Sequence, residues 1–147
     1  DALPSAYETR EGIFEKLSLL DEYLKYLKEI QQVNKNSFLK DYHFHGLAER
    51  YLQLSIQVLI DLGQLIIMEK QLTRPVEPQE IFSVLFNHKI LSENLVNQLT
   101  GIVGFRNILV HEYGKIDREK VYEYLKNNLR IFEQYKKETL KFIKSGW

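Results

Sequence analysis

The chain contains no cysteine, one methionine, one tryptophan and three prolines in 147 residues. Without cysteine there is no disulfide, no thiolate metal site and no thiol nucleophile, and the composition fits a reducing, cytoplasmic setting. No apolar run approaches the ~20 residues that span a bilayer and no signal peptide is visible, so no membrane partner is expected. Glycine-rich phosphate loops, the H-E-x-x-H metal pattern and the nucleophile elbow are missing as well. Net charge is zero, but its parts are unevenly placed: residues 1–105 hold ten Lys/Arg against fourteen Asp/Glu, and residues 106–147 hold ten against six. A basic C-terminal third can attract a polyanion, although a solvated helix face accounts for the same charges. The only methionine is Met68, so Asp1-Ala2-Leu3-Pro4-Ser5 reads as a trimmed start or an added remnant. One domain is expected over 1–147, with residues 1–7 a flexible extension.

What is present is helical periodicity. Ile13, Leu17, Leu20, Leu24 and Leu27 recur at 4-3-4-3 spacing within a first helix from about Glu8 to Gln32, and Asn34-Lys35-Asn36-Ser37 breaks it with turn-formers. A second helix runs from about Asp41 to Gln71, its later half too apolar to face water. Pro75 and Pro78 follow its end, since proline cannot continue a helix interior but suits a first turn. A short helix over Pro78–Asn87 presents Ile81, Phe82, Leu85 and Phe86. A fourth begins after Ser92, a suitable N-cap, and ends at Gly114, a suitable stop. The last, capped by Asp117 and running to about Ile143, turns Val121, Leu125, Leu129, Phe132 and Tyr135 inward. These elements make an all-α, up-and-down bundle of about five helices, two of them central and buried.

The fourth helix is the unusual one. Leu95, Val96, Leu99, Ile102, Val103, Phe105, Ile108, Leu109 and Val110 leave it almost no solvated side, which suits a central helix. Yet it carries Arg106, Asn107 and His111, which are costly to bury unless something satisfies them. Conflicts of this kind mark functional sites. At ~100° per residue, Thr100, Gly104, Asn107 and His111 fall on one strip, whereas Arg106 and Tyr113 share a side roughly 140° from His111. Arg106 and His111 of one chain therefore do not converge on a straight helix. Either the helix unwinds before Gly114, or two chains supply the site, most simply through a two-fold dimer. Each residue also has an ordinary explanation: His111 can complement the helix dipole, Arg106 can pair with Glu49, and Tyr113 can bury its ring and wet its hydroxyl. His43 and His45 lack a third ligand at metal spacing, so no metal is expected, and His88 reads as a surface residue.

Arg106-Asn107-Ile108-Leu109-Val110-His111-Glu112-Tyr113 resembles the R-x4-H-x-Y signature of HepT-like toxins, a branch of the HEPN superfamily. The stretch Glu49-Arg50-Tyr51-Leu52-Gln53-Leu54-Ser55-Ile56-Gln57, followed by Leu59-Ile60-Asp61-Leu62-Gly63, is similar to the family's second helix. The resemblance implies a HEPN-like bundle that forms a two-fold homodimer and acts as a metal-independent endoribonuclease. It assigns Arg106 and His111 as catalytic and Asn107 as orienting. Thr100 and Gly104, from the helical strip, and Glu49, as a carboxylate within the bundle, are expected to support the cleft. The resemblance also implies a partner, an MNT-type nucleotidyltransferase antitoxin that moves AMP from ATP onto Tyr113, with no other cofactor. The residue types suit RNA cleavage. Histidine accepts or donates a proton near neutral pH, and arginine presents a fork to phosphate oxygens. The alternative is a non-catalytic helical module that binds nucleotide or RNA, or presents Tyr113 to the nucleotidyltransferase.

Overall fold

In a computed structural model, which describes residues 6–110 and 116–146, the stripe from Ile13 to Leu27 lies on the buried face of helix α1 (Ala6–Gln31). Each of those side chains is worth roughly 1.5–3 kcal/mol when withdrawn from water. The stretch read as a pure break forms a short helix, α2 (Lys35–Lys40). The same turn-forming chemistry starts it: Asn34 is extended and its side-chain oxygen accepts from the Ser37 amide at 2.9 Å. Phe38 on α2 is fully buried and plugs the bundle at this end.

Helix α3 (Tyr42–Glu69) is the centre, packing against α1, α2, α4, α6 and α7. Asp41 caps it by accepting from the His43 amide at 2.9 Å. Contrary to the sequence expectation, α3 is long and apolar enough to cross a membrane by length and composition. Its apolar residues are accounted for by the core: Leu52, Ile56, Leu59, Leu62 and Ile66 are fully enclosed by the other helices. Leu47, near the start of α3, is half exposed.

Gly63 lets the neighbours close on α3. A Cβ there would stand 2.3 Å from Ile81 Cγ2 and 3.2 Å from the Tyr135 hydroxyl. Tyr135, fully buried, uses that gap to donate to the Leu59 carbonyl at 2.8 Å. Helix α7 (Arg118–Lys144) is capped by Asp117, which accepts from the Lys120 amide at 3.3 Å, and buries the expected Val121, Leu125, Leu129, Phe132 and Tyr135. Lys16–Asp61 (3.0 Å) ties α1 to α3 and Lys28–Glu133 (2.6 Å) ties it to α7, surface pairs worth about 0–1 kcal/mol each.

Two corrections concern the fourth expected helix. It is two helices, α5 (Glu93–Leu99) and α6 (Ile102–Val110), preceded by α4 (Glu80–Asn87). Ser92 caps α5 as expected, accepting from the Leu95 amide at 3.2 Å. The break falls at Thr100–Gly101, where Gly101 takes φ +89, a left-handed conformation that suits glycine. Nor is α6 enclosed on all sides. Ile102 and Leu109 are buried, but Gly101, Gly104, Asn107 and Ile108 form an exposed face. The expected stop at Gly114 lies outside the described residues.

Candidate active site

Helix α6 is held by its two buried edges. Ile102 and Leu109 anchor it in the core, and Phe105 stacks on Tyr124 of α7 with ring centroids 4.0 Å apart and planes within 10°. Burial pushes the Tyr124 hydroxyl up to about 12, so it stays a neutral phenol at any physiological pH. The clamp fixes the rotation of α6 and decides what its remaining sides show.

One side opens on a recess of about 460 Å³ between α4, α5 and α6. Thr100, Gly104 and Asn107 line it together, so the strip expected from helical spacing is preserved across the break at Gly101. Phe82 and Leu99, both buried, also line it, while Gln79 and Ser83 bring polar groups from α4. Nothing lies within 4 Å of a Cβ added to Gly104, which is open space on the recess side. The contribution of α4 was not legible in the sequence, because no periodic signal couples that helix to a motif twenty residues further on.

Arg106 is half-buried, and its Nε has no hydrogen-bond partner among the described residues. An unmet buried donor costs about 1–3 kcal/mol, so this side chain demands a partner that the described part of the chain does not supply. Glu49 is not that partner. Its carboxylate lies 3.8 Å from His45 Nδ1, one turn back on α3. Desolvation raises the Glu49 pKa, against the opposing pull of Arg118 at the start of α7. Desolvation first, then the Arg118 charge, lowers that of His45. Glu49, partly buried, thus stands with the buried His45, and the exposed Arg118 acts on both through its charge, a contribution that the sequence pattern does not announce.

The remaining candidates separate. His43 is exposed and 3.0 Å from Asp41, whereas His45 is buried, so the two histidines do not share a site. Among the described residues no group of three His, Cys, Asp or Glu is placed to hold a metal ion. His111 and Tyr113 lie outside the described residues.

Three comparisons bear on this arrangement. A family model described as ribonuclease HepT-like matches residues 20–139, a span that takes in every helix from the latter part of α1 to most of α7. The chain is 28% identical over 128 residues to the tRNA nuclease HepT of Aphanizomenon flos-aquae (strain 2012/KM1/D3), covering 87% of each chain. It is 29% identical over 111 residues to the mRNA nuclease HepT of Shewanella oneidensis, covering 74% of this chain and 84% of that one. Among solved structures it is similar to a tri-AMPylated Shewanella oneidensis HEPN toxin in complex with MNT antitoxin. The TM-score is 0.79 at 24% identity, across 91% of this chain and 97% of that one. It is also similar to YutE of Bacillus subtilis, a cytosolic protein of unknown function, with TM-score 0.79 at 18% identity over 92% and 91% of the two chains. At these identities the structural likeness establishes the all-α fold.

Proposed function

The chain belongs to the HepT-like ribonuclease family, and from that premise we propose that it is the toxin of a HEPN/MNT toxin–antitoxin pair, an endoribonuclease of the cytosol. Its site is composite, with Arg106 and His111 of two subunits meeting in one cleft and Asn107 orienting the substrate. The observation that carries this reading is the family match over residues 20–139, which includes Arg106, Asn107, His111 and Tyr113. The relatives named tRNA nuclease and mRNA nuclease support RNA as the substrate class. A dimer is supported by the exposed face of α6, where Gly101 and Gly104 allow a close approach and Ile108 is left 39% exposed.

The chemistry follows from what RNA brings. Its 2′-hydroxyl is the nucleophile, so the protein has to accept one proton, donate another and stabilise a crowded phosphate. One His111 takes the 2′-hydroxyl proton as the oxygen attacks phosphorus. The other protonates the departing 5′-oxygen, leaving a 2′,3′-cyclic phosphate and a free 5′-hydroxyl. Arg106 offers its fork to the non-bridging oxygens, where charge builds up. The unmet Nε of Arg106 is consistent with a side chain whose partners come from a substrate or a second subunit. Needing the 2′-hydroxyl restricts cleavage to RNA.

Control falls to Tyr113. The antitoxin joins the Tyr113 oxygen to the α-phosphorus of ATP and pyrophosphate leaves, so AMP stands beside Arg106 and His111. Added bulk and negative charge then occupy the cleft's positive groups. The similar toxin described as tri-AMPylated and bound to its MNT antitoxin supports this assignment.

The test is cleavage of RNA by unmodified protein in the presence of EDTA, with His111→Ala and Arg106→Ala beside it. Wild type should yield cyclic phosphate ends, with each variant reduced at least ~10²-fold, the usual scale for a lost acid–base group. Equal cleavage by all three would refute the site.

A further inference from the structure

A second concave surface lies away from the Arg106 recess. It is a trough of about 1500 Å³ between the α4–α5 corner and the C-terminal half of α7. Its floor is apolar, with Ile90, Leu91, Leu140 and Phe142, and Phe86 stands at its edge 39% exposed. Its rim is cationic. Lys89, Arg130, Lys137, Lys141 and Lys144 all line it. On α7 the last four sit at spacings of seven, four and three, one face of the helix running about 21 Å.

The trough's other charges are already engaged. Lys136 pairs with Asp21, and Glu133 with Lys28 at 2.6 Å. Glu138 accepts from the Ser92 amide at 2.6 Å and from its hydroxyl at 2.9 Å, closing the α5 cap. Glu93 stands in the first turn of α5, where an acidic residue complements the helix dipole. None of the five rim cations has an ion-pair partner among the described residues, so the trough presents a positive field over apolar ground. The helix dipole accounts for Lys141 and Lys144 in the last turn of α7. It does not account for Arg130, Lys137 or Lys89. Lys89 is further notable for its backbone, at φ +61, where glycine is the favoured residue.

We propose that this trough is a second RNA-binding surface, which holds the phosphate backbone of single-stranded substrate while the bases lie against its apolar floor. Cations beside aromatic rings, here Phe86 and Phe142, are the chemistry by which single strands are held without regard to sequence. Continuity favours RNA over an acidic protein. Ser92, Glu93 and Asn94 at the start of α5 line the trough, and Val96, Leu99 and Thr100 at its end line the recess beside Asn107. Seven residues of helix, about 10 Å, separate the two, so one strand can occupy both. The inference rests on the ribonuclease reading for its substrate class, but its binding test does not require cleavage.

The probe is a fluorescent 2′-O-methyl oligouridylate of about twenty nucleotides, which lacks the nucleophile and is not cut. Binding is followed by anisotropy for wild type, for Lys89→Gly, and for the combined Arg130→Gln, Lys137→Gln, Lys141→Gln, Lys144→Gln protein. Each cation lost should make the log–log salt dependence shallower by about 0.7. Through these five charges alone, a fourfold rise in salt should weaken wild-type binding roughly a hundredfold, and the combined variant only a few-fold. Lys89→Gly relieves its backbone, so it should raise thermal stability and weaken binding together, a pairing that misfolding does not produce. Unchanged affinity and slope in the combined variant would overturn the proposal. So would loss of antitoxin binding with RNA binding retained, which would make the trough a protein-docking surface. Cleavage of a dinucleotide, too short to bridge the two sites, checks the cleft separately. A loss there equal to that on long RNA means that the substitutions damage catalysis, and that too overturns the assignment. Failure of wild type to cut any RNA would refute the ribonuclease reading and leave the binding result standing.

Discussion

The same substitution at two glycines should have opposite effects on stability. Gly63→Ala and Gly104→Ala both place a better helix former inside a helix, worth up to about 1 kcal/mol. At Gly63 the new methyl would lie 2.3 Å from Ile81 Cγ2 and 3.2 Å from the Tyr135 hydroxyl. Ile81 is 1% exposed and Tyr135 fully buried, so neither can swing into solvent. Overpacking costs about 1–3 kcal/mol. Pushing the Tyr135 hydroxyl off the Leu59 carbonyl forfeits about 0.5–1.5 kcal/mol more. After the helix gain is subtracted, Gly63→Ala should lose about 1–3 kcal/mol, or roughly 2–4 °C in Tm for each kcal/mol. At Gly104 nothing lies within 4 Å of the added carbon, so the helix gain stands alone. Urea titration at low protein concentration reads both. Gly104→Ala should nevertheless lose cleavage activity, because the methyl enters the proposed subunit approach. If Gly63→Ala proves as stabilising as Gly104→Ala, the close packing of α3, α4 and α7 is wrong.

Further consequences are open to direct measurement. Intact mass spectrometry after co-expression with the partner nucleotidyltransferase should show added AMP, abolished by Tyr113→Phe, and an unaltered adduct in that variant would exclude Tyr113 as the acceptor. Tyr135→Phe should cost about 0.5–1.5 kcal/mol by urea titration with cleavage unchanged, since its hydroxyl bonds only within the core. His45, buried, has its pKa lowered from the ordinary value near 6.5, so the unfolded chain binds the proton more readily. Its contribution is therefore complete above pH ~6.5 and lost as pH falls below that, and His45→Leu should flatten the decline in stability on the acid side. A decline of equal slope in the variant would assign it to other groups.

The sequence was most informative where one local interaction decides the outcome. Ser92 and Asp117 cap α5 and α7 as their positions suggested, and the α1 and α7 stripes are buried as their spacing required. It misled where two readings share the same residues. Asn34 and its neighbours were read as a break because turn-formers interrupt periodicity, yet the same side chain starts α2. Gly101 lay hidden inside an apolar run, so α5 and α6 were read as one helix and α6 as buried all round. Periodicity reports that a helix is apolar. It does not report whether the face is covered by the same chain or left for another. The strip of Thr100, Gly104 and Asn107 was legible because it survives the break, whereas Gln79 and Ser83 reach it through tertiary packing alone. The proximity of Arg118 to Glu49 and His45 likewise depends on where α7 begins against α3.

The account stands on two subunits sharing one cleft, and a mixed dimer tests that most directly. Co-expressed with two affinity tags, the wild-type chain and an Arg106→Ala, His111→Ala chain give a purified heterodimer with one intact motif. A shared cleft predicts RNA cleavage in EDTA far below half the wild-type rate, since one histidine cannot both accept and donate in the same step. Half the wild-type rate would contradict it, because each subunit would then carry a complete site of its own.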